Sequence, residues 1–255
     1  AIELGFVDFE DFNEYDFTSL DNVMLNWIIP RKILLFFGPV GNTATRPFPP
    51  KRYLQYFRQK GVKTMVRLGH LKHDANPFVG TSLCHYDLKT DGAIPSEQTM
   101  NCFLEICENA KGGAMVIHNR YLLGSSGALI GAYLIKHYRF TAVEARCWVR
   151  LCSQGCMKEA QKSWLATNES TLRQSGDEYR VRQLGDADRI QHHTLGVYSH
   201  LDDVMEDGNM NCTSIEKELI NPEVCSGKPS GDFDNVKTFK DVKQNDTQSE
   251  VNISY

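Results

Sequence analysis

The chain has 255 residues, 41% of them hydrophobic, which suffices for the core of one ordinary domain with chain to spare. Its net charge of −4 is unevenly spread: residues 1–23 hold seven acidic groups and no Lys or Arg, residues 24–200 hold 23 basic against 13 acidic, and residues 201–255 hold 12 acidic against five basic. Eight cysteines without regular spacing, with no signal-peptide pattern and no long apolar stretch in the sequence, favour an intracellular protein over a disulfide-stapled secreted one and predict no membrane span. A reducing compartment, nuclear or cytoplasmic, is the expectation, with no nucleic-acid and no membrane partner.

Taken in chain order, the acidic start interleaves aromatics with carboxylates from Asp8 to Asp16 and reads as an amphipathic helix over 1–23. Apolar strand candidates follow at Ile33–Phe37, Thr64–Leu68, His85–Leu88 and Met115–Ile117. Helical stretches at Pro50–Lys60, Ser96–Ala110, Ser126–Tyr138 and Thr141–Cys152 alternate with them. Such alternation predicts an α/β domain, a mainly parallel sheet flanked by helices. Beyond residue 200 the sequence turns polar and acidic, with Gly227-Lys228-Pro229-Ser230-Gly231 as a breaker, and disorder is expected there.

Ligands of parallel sheets bind beyond the carboxyl ends of the strands, where the loop after Ile117 lies. That loop, His118-Asn119-Arg120-Tyr121-Leu122-Leu123-Gly124-Ser125-Ser126-Gly127, joins a buried strand to a helix. Loop amides and the first N–H groups of a helix converge on an anion, and the helix dipole adds to the attraction. The layout is therefore a phosphate cradle, although a strand, a Gly/Ser turn and a helix also occur in many domains that bind no phosphate. Cys147, Cys152 and Cys156 read as small core residues rather than ligands, and His192-His193 as a solvated pair. No metal and no cofactor are expected.

Val116 to Leu165 resembles the active-site region of the cell-division-cycle-fourteen family of mitotic-exit dual-specificity phosphatases, within the protein tyrosine phosphatase superfamily. The family loop reads His-Cys-Lys-Ala-Gly-Leu-Gly-Arg-Thr-Gly. His118, Leu123, Gly124 and Gly127 match it, Ser126 is a mild change, Asn119 stands at the nucleophile position and Ser125 at the phosphate-gripping arginine position. Arg120 stands where the family has lysine, and Tyr121 and Leu122 replace two small residues. Asn26-Trp27-Ile28-Ile29-Pro30, Gly38-Pro39, Val66-Arg67-Leu68 and His85-Tyr86-Asp87-Leu88 extend the resemblance upstream. It implies that Asp91 is the general acid and that Gln161 positions the hydrolytic water, while Lys162 replaces a second such glutamine. It also implies that the acidic start borders a groove favouring basic residues near the phosphosite, and that a further non-catalytic domain of similar fold precedes it in the family.

The resemblance divides the chain into an acidic linker (1–23), a phosphatase-like domain (24–167), a diverged extension (168–200) and a tail (201–255). An amide at 119 has no lone pair basic enough to attack phosphorus and does not ionise near neutrality. Removing a nucleophile costs on the order of 10⁶ in turnover in the serine-protease template, and losing one transition-state donor roughly 10²–10³. The expectation is a pseudophosphatase that binds phosphorylated proteins or peptides, by resemblance near centrosome or spindle. The alternatives are an active phosphoserine or phosphotyrosine phosphatase and an interaction module without phosphate affinity.

Overall fold

A computed structural model describes residues 1–7, 25–37, 50–69, 78, 81–90, 92–110, 112–119 and 123–197. Residues 8–23 of the helix expected over 1–23, the tail over 201–255 for which disorder is expected, Asp91 and the loop positions Arg120, Tyr121 and Leu122 lie outside them. Among the described residues five strands form one sheet: β1 (Leu25–Ile29), β2 (Ile33–Phe36), β3 (Val62–Leu68), β4 (Cys84–Leu88) and β5 (Ala114–Asn119). Their order is β1-β2-β5-β3-β4, with β1 antiparallel to β2 and every other pairing parallel. The mainly parallel sheet is as the sequence predicts; β1 is an addition. Its LNWII pattern had no alternation to mark it as a strand.

Composition explains the order. All four residues of β2 and all six of β5 are buried, as central parallel strands must be when helices cover both faces. The edge strand β4, with the sequence CHYDL, is half-exposed and polar. Side chains alternate across the sheet: Met115 and Ile117 enter one apolar cluster, Ala114 and Val116 another.

The helices are α1 (Pro50–Gln59), α2 (Glu97–Asn109), α3 (Leu123–Tyr138), α4 (Ala142–Cys152) and α5 (Glu159–Leu184). Helix α1 covers the second cluster, where Phe57 and Phe36 meet edge to face at 5.5 Å between ring centres. The others cover the first. The Ser96 hydroxyl accepts from the Thr99 amide at the start of α2, and Thr141 with Glu144 forms a reciprocal capping box at the start of α4. Helix α3 is apolar almost all round because it is a central helix, packed on α2, α4, α5 and β5.

Helix α5 runs uninterrupted for 26 residues through position 167, about 39 Å, and packs along α3. Its buried residues are Gln161, Leu165, Leu172, Gly176 and Arg180. At Gly176 the two helices touch backbone to backbone: a Cβ there would lie 1.9 Å from the Lys136 carbonyl oxygen. One turn on, the Arg180 guanidinium donates to the same carbonyl at 2.7 Å and to that of Ala187 at 2.6 Å, capping the end of α3. Asp177 bridges Arg180 and Arg139, whose backbone turns left-handed (φ 57°) where α3 stops.

The ends of the described chain are tied to this core. Phe6 is fully buried among Tyr138, Phe140, Trp148 and His193, so residues 1–7 form a packed turn rather than a helical stretch. The expectation of a solvated His192-His193 pair is corrected for His193. Its backbone N–H donates to the Leu4 carbonyl at 2.8 Å and its ring shares a 2.9 Å hydrogen bond with the Tyr138 hydroxyl, because this segment is the strap that covers Phe6. Cys156 lies in the core, as read, whereas Cys147 is exposed on α4. No helix among the described residues is long and apolar enough to cross a membrane.

Burial pushes the His193 imidazole down to about 4 from its ordinary 6.5, and burial lowers His137 as well. The folded state then binds fewer protons than the unfolded state, so stability is full above pH 6.5 and is lost as pH falls toward 4. Urea unfolding at pH 7 and pH 5 should show a loss on the order of 1–2 kcal/mol, discounted for partial solvation. His193→Gln should remove most of that difference; an unchanged difference would assign it to other groups.

Candidate active site

Strand β5 ends at His118 and Asn119, in parallel register with Arg67 and Leu68 of β3. His118 is buried on the α1 side, its ring 5.0 Å from Phe36 and 6.3 Å from Phe78 between centres. Alternation puts Asn119 on the opposite face, with Ile117, and it is 1% exposed. Beside them Arg67 grips Asp87 through two 2.8 Å hydrogen bonds across the β3–β4 pair, a fork that ties the edge strand to the centre.

Helix α3 begins at Leu123, three residues before the start read from the sequence at Ser126. That boundary is corrected: Gly124 and Ser125 are helical despite the weak helix propensity of glycine and serine. Packing overrides propensity here, for Ser125 and Ser126 are completely buried and Gly127 abuts Met157, whose Cγ would lie 2.9 Å from a Cβ at 127. The side chain at 125 is thus a short hydroxyl inside the packed first turn. Helix α3 is 16 residues long and starts at Leu123, so the positive end of its dipole lies there.

Gln161 is where the sequence reading placed a site residue, and its geometry is informative. It is 1% exposed; its Oε1 accepts from the Lys158 backbone N–H at 2.8 Å and its Nε2 donates to the Ala93 carbonyl at 2.9 Å. A Cβ at 124 would lie 2.4 Å from that Nε2, so Gly124 is what lets the amide in. Gln161 therefore clamps three pieces together: the start of α5, the first turn of α3, and the segment that follows Asp91 by two residues. Lys162 pairs with Glu159 at 2.7 Å on the exposed side of α5. Sequence reasoning missed the clamp and the Arg67–Asp87 fork; the Arg and Asp at matching positions of two neighbouring strand candidates were the available signal. Among the described residues no cluster of His, Cys, Asp and Glu could hold a metal ion.

A family model for a dual-specificity-type tyrosine phosphatase of polymorphic toxin systems (Tc-R-P, DSP-PTPase phosphatase) matches residues 42–139. Over 98% of its length the chain is 33% identical to the dual specificity protein phosphatase CDC14C of Symphalangus syndactylus, covering 53% of it. Identity is 34% to the Homo sapiens CDC14C, with 96% of this chain and 57% of the relative aligned, and 35% to CDC14B of Mus musculus, with 91% and 50%. The chain belongs to the CDC14 family of dual-specificity phosphatases. It spans about half the length of these CDC14 relatives. Among solved structures it is similar to PTPMT1, at 12% identity and a TM-score of 0.49 over 60% of this chain and 99% of that one. The sheet and its helices are the tyrosine-phosphatase-like α/β architecture expected of a CDC14-like domain.

Proposed function

We propose that this CDC14-like domain binds phosphorylated protein segments at the loop between β5 and α3 without hydrolysing them. One observation carries the reading: a buried, neutral amide, Asn119, ends β5 at the nucleophile position. No phosphocysteine intermediate forms there, and no carboxamide replaces the thiolate. Ser125 adds to it, since a buried hydroxyl lacks the fork that stabilises the transferring phosphoryl group. The features that serve binding are retained: the helix start at Leu123, Gly124 and Gly127, and the Gln161 clamp. Asp91 is proposed as the general-acid position kept from an active ancestor. The seven acidic groups of residues 1–23 favour peptides with lysine or arginine beside the phosphosite.

Calorimetric titration with a basic phosphoserine or phosphotyrosine peptide and its unphosphorylated form tests this. Binding should be saturable, at least about tenfold tighter for the phosphorylated form, and displaced by tungstate. Equal affinity for the two forms would leave the domain as an interaction module indifferent to phosphate.

A further inference from the structure

The β1–β2 turn, the last turn of α3 and the strap after α5 meet at the amino-terminal end of the sheet, where the Lys32 carbonyl accepts from the Met115 N–H at the start of β5. A cavity of about 380 Å³ opens there, lined by Lys32, Glu108, Tyr133, Tyr179 and Arg189 among others. That volume suits a small ligand. The junction of β5 and α3 lies at the other end of α3, about 24 Å away along a 16-residue helix, so the two sites are separate.

The charges lining the cavity do not balance. Glu108 is committed: its Oε1 takes the Lys136 ammonium at 2.7 Å and His137 Nε2 at 2.9 Å. Although burial acts to raise the Glu108 carboxyl, those two hydrogen bonds outweigh it and hold the group below its usual range. Arg180 is likewise committed to Asp177 and the α3 carbonyls. Among the described residues neither Lys32 nor Arg189 has a carboxylate partner. The Lys32 ammonium sits 5.6 Å from the centre of the Tyr133 ring, and burial lowers its pKa. Lys32 feels the Glu108 carboxylate through space, but that carboxylate makes its short contacts with Lys136 and His137, so the half-buried ammonium has no ion pair of its own and an anion delivered from solvent offsets the cost of burying it. A second cavity of about 480 Å³ shares Lys32 and Gln191 and adds Arg31 and His192, so the cationic lining continues outward.

We propose that the cavity bounded by Lys32, Tyr133, Tyr179 and Arg189 binds a small organic anion, its carboxylate or phosphate head on Lys32 and Arg189 and its apolar body against the two tyrosine rings. The site is independent of the β5–α3 loop and of whether that loop turns over.

Titrating the ¹⁵N-labelled full chain with benzoate, and separately with inorganic phosphate, tests the proposal by amide shifts. Saturable shifts at Lys32, Tyr179, Arg189 and Gln191 are expected with benzoate, and shifts at the same residues with phosphate would show that the head group alone suffices. Lys32→Met keeps the aliphatic stem and should weaken benzoate binding about tenfold or more, and the exposed Arg189→Ala about threefold. Absence of saturable shifts at these residues, or binding within twofold of the native chain in Arg189→Ala together with Lys32→Met, would overturn it. If Lys32→Met does not fold, Arg189→Ala alone decides.

Discussion

Asn119→Cys combined with Ser125→Arg should raise phosphate release from a phosphopeptide by about 10³-fold or more over the native chain, whose release should sit near background. The cysteine supplies the nucleophile that the amide at the end of β5 cannot, and the arginine supplies the fork missing from the first turn of α3. Each single change should recover far less, because a nucleophile and its transition-state donor act as a unit. Asn119→Cys alone should remain roughly 10²–10³ below the pair. Two retained features make recovery the expected outcome: Gln161 still holds the Ala93 carbonyl at 2.9 Å, and Gly124 still admits that amide against the helix start. Ser125 is fully buried, so the new arginine must leave the packed turn and enter the loop. A double variant that folds but releases no phosphate would mean that the pocket has closed, and the residues named here would then no longer form a catalytic arrangement.

The largest expected effect on stability lies at Gly176. An added methyl group there would meet the Lys136 carbonyl oxygen at 1.9 Å and its carbon at 2.8 Å, both backbone atoms at the end of a rigid helix. Helix α5 must then move away from α3, which also pulls Arg180 off the Lys136 carbonyl. Gly176→Ala should cost about 3 kcal/mol or more even though alanine is the better helix former, and lower Tm by about 6–12 °C. Gly61→Ala serves as the comparison. Its backbone is left-handed (φ +66°) with nothing within 4 Å of the new methyl, so it should lose only about 1 kcal/mol. Equal, small losses in the two variants would contradict the close helix contact.

These two sites differ in how much of them the sequence announces. The β5–α3 unit is legible because Ala114–Ile117 and Ala128–Ile135 are apolar runs on either side of a Gly/Ser break. Only the helix start was displaced, because Gly124 and Ser125 read as loop residues until burial and the neighbouring Gln161 and Met157 are known. Helix α5 is poorly legible for a physical reason. Its buried stripe passes through Gln161, Gly176 and Arg180 as well as two leucines, so hydrophobic periodicity has little to find. Each of those three is buried by a specific partner: the Ala93 carbonyl, the α3 backbone, and the carbonyls of Lys136 and Ala187.

Phe6 and His193 are of the same kind. One aromatic in an acidic stretch and one histidine in a polar stretch become core only because they meet at Tyr138, 132 and 55 positions away respectively in sequence. At the candidate site, His118, Asn119, Ser125 and Gln161 were singled out by the family resemblance, and they lie at one end of the sheet. The clamp made by Gln161 required coordinates, because a glutamine's two hydrogen-bond partners leave no mark on the chain around it.

Binding and turnover separate most directly in one experiment: phosphate release followed on the same samples used to titrate a basic phosphopeptide into the native chain. Saturable, phosphate-dependent binding with release no faster than the peptide alone is the predicted result. Release that exceeds background and is abolished by Asp91→Ala would contradict it, and would make the domain a working phosphatase with a nucleophile other than residue 119.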